Sequence, residues 1–208
     1  VKKMTELDTR SLALIPVKML RMKQATGHPC LIDAPMNSQS SKLDLLKEML
    51  YPILASGEKA IVFTQFATMA RIMSVQMMDM RPLVITGEVD ALERKRIVDE
   101  FQSDPDRQVL IMTEAGTYGL NLQAASYVFH YDAPWSVSKI EQREGRAHRI
   151  GQDKPVTVYH LIAKNTIDEY VLKVLKGKQK MADEILGDEV EKLTMVDIVE
   201  MLGEEDVS

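Results

Sequence analysis

Residues 142–152 read Gln-Arg-Glu-Gly-Arg-Ala-His-Arg-Ile-Gly-Gln. At about 100° per residue, a helix through this stretch sets Gln142, Gly145, Arg146 and Arg149 along one side and Val137, Ile140 and Ala147 roughly opposite. One face packs while the other presents two guanidiniums beside a glycine. Guanidiniums are always charged and carry a planar fork of N–H donors, which suits them to phosphate oxygens. The same arginines can instead stay solvated or pair with Glu141 and Glu144, and the stripe alone leaves both readings open. Arg143 is expected to point toward neither cluster.

The surrounding chain alternates strand and helix. Apolar or β-rich runs at Ala60–Phe66, Leu83–Thr86, Val109–Thr113, Tyr127–Tyr131 and Val156–Leu161 predict five strands, with helices at Thr68–Met80 and Ala91–Phe101 and the arginine helix between the last two strands. Short apolar strands separated by helices argue for a parallel sheet covered on both faces. In such sheets ligands sit beyond the carboxyl ends of the strands. That places interest on Thr64-Gln65-Phe66, Thr86-Gly87-Glu88, the stretch from Thr113 to Gly119, and Asp132 to Trp135. A glycine-containing turn after Thr113 can hold a phosphate on its amides, or its glycines can serve turn geometry alone.

Ahead of the sheet, Leu12, Ile15, Met19 and Met22 recur at helical spacing up to about Ala25, and Thr26-Gly27-His28-Pro29 reads as a stop. A polar loop over 33–41 leads to an amphipathic helix with Ser41 as the expected N-cap, running to about Ser56 and closed by Gly57. Lys42 at its start is either solvated or directed at a phosphate. Helices follow the last strand, and the organisation expected is an N-terminal helix and connector over 1–40, a central lobe over 41–163 and a helical extension over 164–208.

Gln142-x-x-Gly145-Arg146-x-x-Arg149 resembles motif VI of superfamily-two helicases, and its continuation Ala-His-Arg-Ile-Gly-Gln is similar to the Swi/Snf-type branch of helicase-like ATPases. Other blocks follow in order: Leu20-Arg21 to His28-Pro29, Ser41-Lys42-Leu43, Ile61 to Phe66 as motif IV, Gly87 with Arg94 and Phe101, Leu110 to Leu122 as motif V, Asp132-x-Pro134-Trp135, and Thr166-Ile167-Asp168-Glu169. Motif V departs from the family at Met112, where a serine is common, and at Thr117, where a glycine is common. Arg94 has a bland alternative in pairing with Glu93 or Asp90.

The resemblance implies the second RecA-like lobe of a double-stranded DNA translocase or remodeller, an α/β fold with a parallel sheet and helices on both faces plus N- and C-terminal helical extensions. It implies catalytic roles for Arg146, Arg149 and Gln142, ATP contacts from Gly119, Asn121 and Gly145, and DNA contacts from Thr64, Gln65, Thr113, Gly116 and Lys42. Its partners would be the first RecA-like lobe of the same polypeptide and duplex DNA, with ATP and Mg2+ held mainly by that first lobe. A strand-separating helicase lobe, or a binding lobe without catalysis, are the alternatives.

Composition narrows the field. With 45% hydrophobic and 27% charged residues among 208, the chain reads as an ordinary globular protein without an apolar run of membrane-spanning length. A net charge of −5 argues against gripping nucleic acid by bulk electrostatics. One cysteine, Cys30, excludes an internal disulfide framework and a cysteine-based zinc cluster. No signal peptide is visible, so an intracellular site is expected, in a compact prokaryotic or viral version rather than a nuclear one. The start at Val1 suggests a piece of something longer. No Gly-x-x-x-x-Gly-Lys-Ser/Thr loop occurs, so half of a phosphoryl-transfer site is missing. The 208-residue chain is therefore expected to fold but not to turn over ATP, and steady-state phosphate release with and without duplex DNA checks this; stimulated hydrolysis by the chain alone would overturn it.

Overall fold

A strand that buries both faces needs apolar side chains at successive positions, and Ala60–Thr64 and Val109–Thr113 are buried throughout. The computed structural model describes residues 9–35, 38–114, 120, 122–147 and 155–184. In chain order the elements are α1 (Thr9–Gly27), α2 (Ser41–Ala55), β1 (Ala60–Thr64), α3 (Ala67–Gln76), β2 (Leu83–Ile85), α4 (Ala91–Ser103), β3 (Val109–Thr113), β4 (Tyr127–His130), α5 (Val137–Ala147), β5 (Thr157–His160) and α6 (Ile167–Glu184). The strands form one sheet in the order β2-β3-β1-β4-β5, and every pair is parallel. This is the α/β architecture expected from the alternating pattern.

Strand alternation divides the core. Ala60, Val62, Val109, Ile111 and Phe129 face α2 and α3, whose Leu43, Leu46, Leu50, Met69, Ile72 and Met73 cover that side. Ile61, Phe63, Leu110, Met112 and Val128 face the other way, onto Ile97 and Phe101 of α4 and Ala147 of α5. A third cluster joins Met19 of α1 to Ile167, Val171 and Leu175 of α6, with Trp135, Val137 and Ile140 packed against it.

Several boundaries differ from the sequence expectations for identifiable reasons. The strand expected to reach Phe66 stops at Thr64, because the Thr64 hydroxyl and the Gln65 amide turn away to the Asp132 carboxylate, at 2.6 and 3.0 Å. The helix expected to reach Met80 ends at Gln76, followed by a short 3-10 turn over Met78–Met80 and a left-handed Arg81 at φ 49. Arg81 precedes Pro82, which disfavours the α-helical region for it. The cap of α2 is Ser40 rather than Ser41: its hydroxyl accepts from Leu43 N and donates to Gly27 O. Gly57 closes α2 at φ 80. Arg94 pairs with neither Glu93 nor Asp90; its Nη2 donates to Val89 O at 2.8 Å.

Lys42 is neither solvated nor at the surface. Its ammonium is ion-paired with Asp168 at the start of α6, and the two side chains are only 6% and 1% exposed. Asp168 also accepts from the Thr26 hydroxyl at 3.2 Å and from Ala163 N at 3.3 Å. Tyr131, continuing from β4, donates its hydroxyl to Gly27 O at 2.8 Å. Thus α1, α2, α6 and the end of β4 meet around one buried carboxylate. Breaking such a pair from one side leaves an uncompensated charge, at a cost of about 3–5 kcal/mol. Urea unfolding should show that loss for Asp168→Asn or Lys42→Met alone, and a smaller loss for the double variant than the two combined.

Candidate functional site

The carboxyl ends of β1, β3 and β4 converge under α5. Register sets Phe63 beside Met112 and His130, and His130 beside His160. The rings of Phe63 and His130 stack with centroids 6.0 Å apart, and those of His130 and His160 at 4.5 Å. Over this ladder lies the side chain of Arg143, whose guanidinium carbon is 5.5 Å from the Phe63 ring centroid. Arg143 is only 2% exposed. Its Nη2 donates to Glu114 Oε1 at 2.8 Å, and its Nη1 lies 3.2 Å from His130 Nδ1 and 3.4 Å from Asp132 O. This corrects the expectation that Arg143 points toward neither cluster. It shares the packed stripe of α5 with Ile140 and Ala147, three residues back and four ahead.

Glu114, immediately after β3, is held by Lys139 as well as by Arg143. Burial pushes its carboxyl up, but those two cations outweigh it and keep its pKa below the ordinary range. His130 is pushed down, mainly by burial and further by Arg143, against the opposing pull of Glu144. A guanidinium only donates, so His130 Nδ1 accepts and the ring is neutral with its proton on Nε2, 3.4 Å from Glu144 Oε1.

Asp132, 1% exposed, organises the end of β4. It accepts from Thr64 and Gln65 as described and lies 4.0 Å from Arg143 Nη2. The next carbonyl, that of Ala133, accepts from Gln65 Nε2 at 2.7 Å and from the Lys23 ammonium of α1. Lys23 is buried and stands 3.9 Å from the Trp135 ring centroid.

The residues expected to form the site therefore have distinct fates. Thr64 and Gln65 are tied inward to Asp132 and Ala133. Thr113 is 5% exposed at the end of β3, and its Oγ1 has no hydrogen-bond partner among the described residues. On α5, Gln142 and Gly145 are exposed and Arg146 is half-buried, its buried Nε without a hydrogen-bond partner among the described residues. A Cβ at Gly145 would meet no atom within 4 Å. Lys42 belongs to the distant Asp168 pair. Arg149, Gly116, Gly119 and Asn121 lie outside the described residues. The sequence reading missed Arg143, Glu114 and Lys23.

His130, Glu144 and His160 offer ligand atoms within 4.8 Å of one another. The two imidazole rings are parallel to within 7° and stacked, so their in-plane lone pairs lie in separate planes and cannot converge on one ion as they stand. Nor does an imidazole pair suit Mg2+, which takes oxygen ligands. These three residues as arranged do not fit that ion.

Comparison with known proteins gives a consistent result. Residues 41–151 match the helicase conserved C-terminal domain family. The putative ATP-dependent helicase/translocase YwqA of Bacillus subtilis (strain 168) is 33% identical over 185 residues, covering 85% of this chain and 20% of that protein. The lymphoid-specific helicase of Homo sapiens is 32% identical over 179 residues, covering 78% of this chain and 21% of that protein. The Sulfolobus solfataricus SWI2/SNF2 ATPase core in complex with dsDNA superposes with a TM-score of 0.73 at 28% identity, covering 87% of this chain and 39% of that one. The chain spans about a fifth of the length of these curated relatives. Relatives from a bacterium and from human remove the basis for preferring a prokaryotic or viral source. No described helix is long and apolar enough to cross a membrane.

Burial lowers the Lys23 pKa from 10.5 to about 8, against the opposing pull of Asp132 and Asp168. Between about 8 and 10.5 the unfolded chain holds more protons at this position than the folded one, so this group's contribution to stability rises with pH; below about 8 its burial penalty is complete. Urea midpoints measured across that window should rise for the unmodified chain relative to Lys23→Met, and parallel curves would contradict the assignment.

Proposed function

This chain belongs to the helicase conserved C-terminal domain family and is of the Swi2/Snf2 type, and from that membership we propose that it is the second motor lobe of an ATP-dependent double-stranded DNA translocase or remodeller. In this reading the first RecA-like lobe of the same polypeptide holds ATP and Mg2+, and the chain alone is inactive. The observation that carries the proposal is the seating of α5. Arg143 anchors the helix from below, so that Gln142 and Gly145 are exposed and Arg146 is half-buried beside the carboxyl ends of parallel strands, where such sheets bind ligands.

Closure of the two lobes on ATP brings Arg146, and with it Arg149, three residues later in the sequence, to the charge developing on the transferred phosphoryl group. Fixed donors aimed at that charge stabilise the transition state without reorganising. Gln142 stands one turn before Arg146 on α5. The open space at Gly145 suits close approach by a phosphate, with Gly119 and Asn121 completing the nucleotide side. Duplex DNA, with which the related SWI2/SNF2 core is in complex, would be tracked by the carboxyl ends of β1 and β3. Thr113 is the strongest candidate contact there, because its buried hydroxyl is unpartnered among the described residues, and Gly116 follows it. Thr64 and Gln65 shape that edge through Asp132. With a net charge of −5, DNA binding by this lobe alone is weak and salt-sensitive.

Arg146→Lys keeps the charge and removes the planar fork. In the polypeptide that joins this chain to a lobe carrying a phosphate-binding loop, this variant should bind ATP and DNA normally. Its turnover should fall by about a thousandfold, the scale of an inserted arginine in phosphoryl transfer. The isolated chain should melt within about 4 °C of the unmodified one, because a change that keeps the charge at a half-buried position costs about 1 kcal/mol or less. Full turnover, or a large loss of stability, would end the arginine assignment.

A further inference from the structure

The stretch between β3 and β4 is attached to α5 at two of its described residues. At its start, Glu114 is gripped by Arg143 and Lys139. Further on, Leu122 N donates to Arg146 O at 3.1 Å. The first attachment is the buried one: Arg143 is 2% exposed, pressed against Phe63 and bonded toward both His130 and Asp132 O. A guanidinium fixed by the ends of β1, β3 and β4 together cannot change rotamer without leaving a charge unpaired in the interior. Thr113, the candidate phosphate contact, is the residue directly before Glu114. Arg146, the candidate nucleotide contact, lies three residues after Arg143 on the same rigid helix.

We propose that Arg143 is a positioning residue that couples the two contacts: its clamp on Glu114 makes the end of β3 and the arginine helix move as one body, so that a phosphate held at Thr113 alters the placement of Arg146. This rests on the reading of the chain as a DNA-tracking motor lobe. Arg143 touches neither nucleotide nor DNA. Lys139 shares the carboxylate from the half-exposed side, where a single ammonium neutralises charge without dictating orientation. The planar guanidinium supplies the orientation, as it donates to Glu114 while lying over Phe63 and facing His130.

The test is amide hydrogen exchange on the 208-residue chain with and without a duplex of about 20 base pairs at about 50 mM salt, where phosphate contacts are least screened. In the unmodified chain, DNA should slow exchange both at 110–114 and at 137–147. In Arg143→Lys the response at 110–114 should remain, while that of 137–147 should shrink by about fivefold or more. Glu114→Gln, which keeps the volume and removes the charge at the other end of the same contact, should do likewise and serves if the lysine variant does not fold. A helix response that persists in Glu114→Gln overturns the coupling and leaves the motor-lobe reading intact. No response at either segment in the unmodified chain would instead remove DNA recognition at Thr113, and the coupling with it.

Discussion

A buried guanidinium sets the terms for this fold. Removing a cation from water costs several kcal/mol, and the cost is recovered only where counter-charge and hydrogen bonds surround it. For Arg143 those partners come from three strands and their ends: Glu114 after β3, His130 and the Asp132 carbonyl at the end of β4, and the face of Phe63 on β1. Satisfying them fixes both the rotation and the height of α5 over the sheet. Every outward residue of that helix inherits its direction from an inward one.

The same logic recurs where the terminal helices meet the end of β4. Lys23 and Lys42 reach inward from α1 and α2 to the Ala133 carbonyl and the Asp168 carboxylate, and Asp132 nearby receives Thr64 and Gln65. Apolar packing holds the layers together, whereas these buried polar contacts fix the angle at which the terminal helices lie against the lobe. Apolar substitutes at Lys42 and Asp168 together would preserve contact area and lose that angular definition.

Much of this was legible from the chain itself. All five strands stand within two residues of their expected ends, because continuous apolar runs have few alternatives to a buried parallel sheet. The outward disposition of Gln142 and Gly145 also followed from helical periodicity. Periodicity placed Arg143 in the same way: on a helical wheel it stands about 40° from Ala147 and about 60° from Ile140, and its charge masked that signal. Lys23 and Lys42 were obscure for a different reason. Their burial depends on Ala133 and Asp168, more than a hundred residues away, and no local pattern encodes partners at that separation. Strand and helix ends shifted where a distant group intervened, as Asp132 does at Thr64, or where proline did, as at Arg81.

Parallel pairing around a central β1 also bears on how the chain comes into being. Ala60 takes its neighbours from Val109 on one side and Tyr127 on the other, so the first strand made has neither edge covered until β3 and β4 follow. During synthesis its Ile-Val-Phe run remains an open, adhesive edge until β3 and β4 have left the ribosome, and closing such long loops is slow. The segment from β1 to β4 is therefore the smallest length that shields its own centre. A shorter nascent chain, or a truncation ending before Tyr127, presents that strand to aggregation and to chaperones.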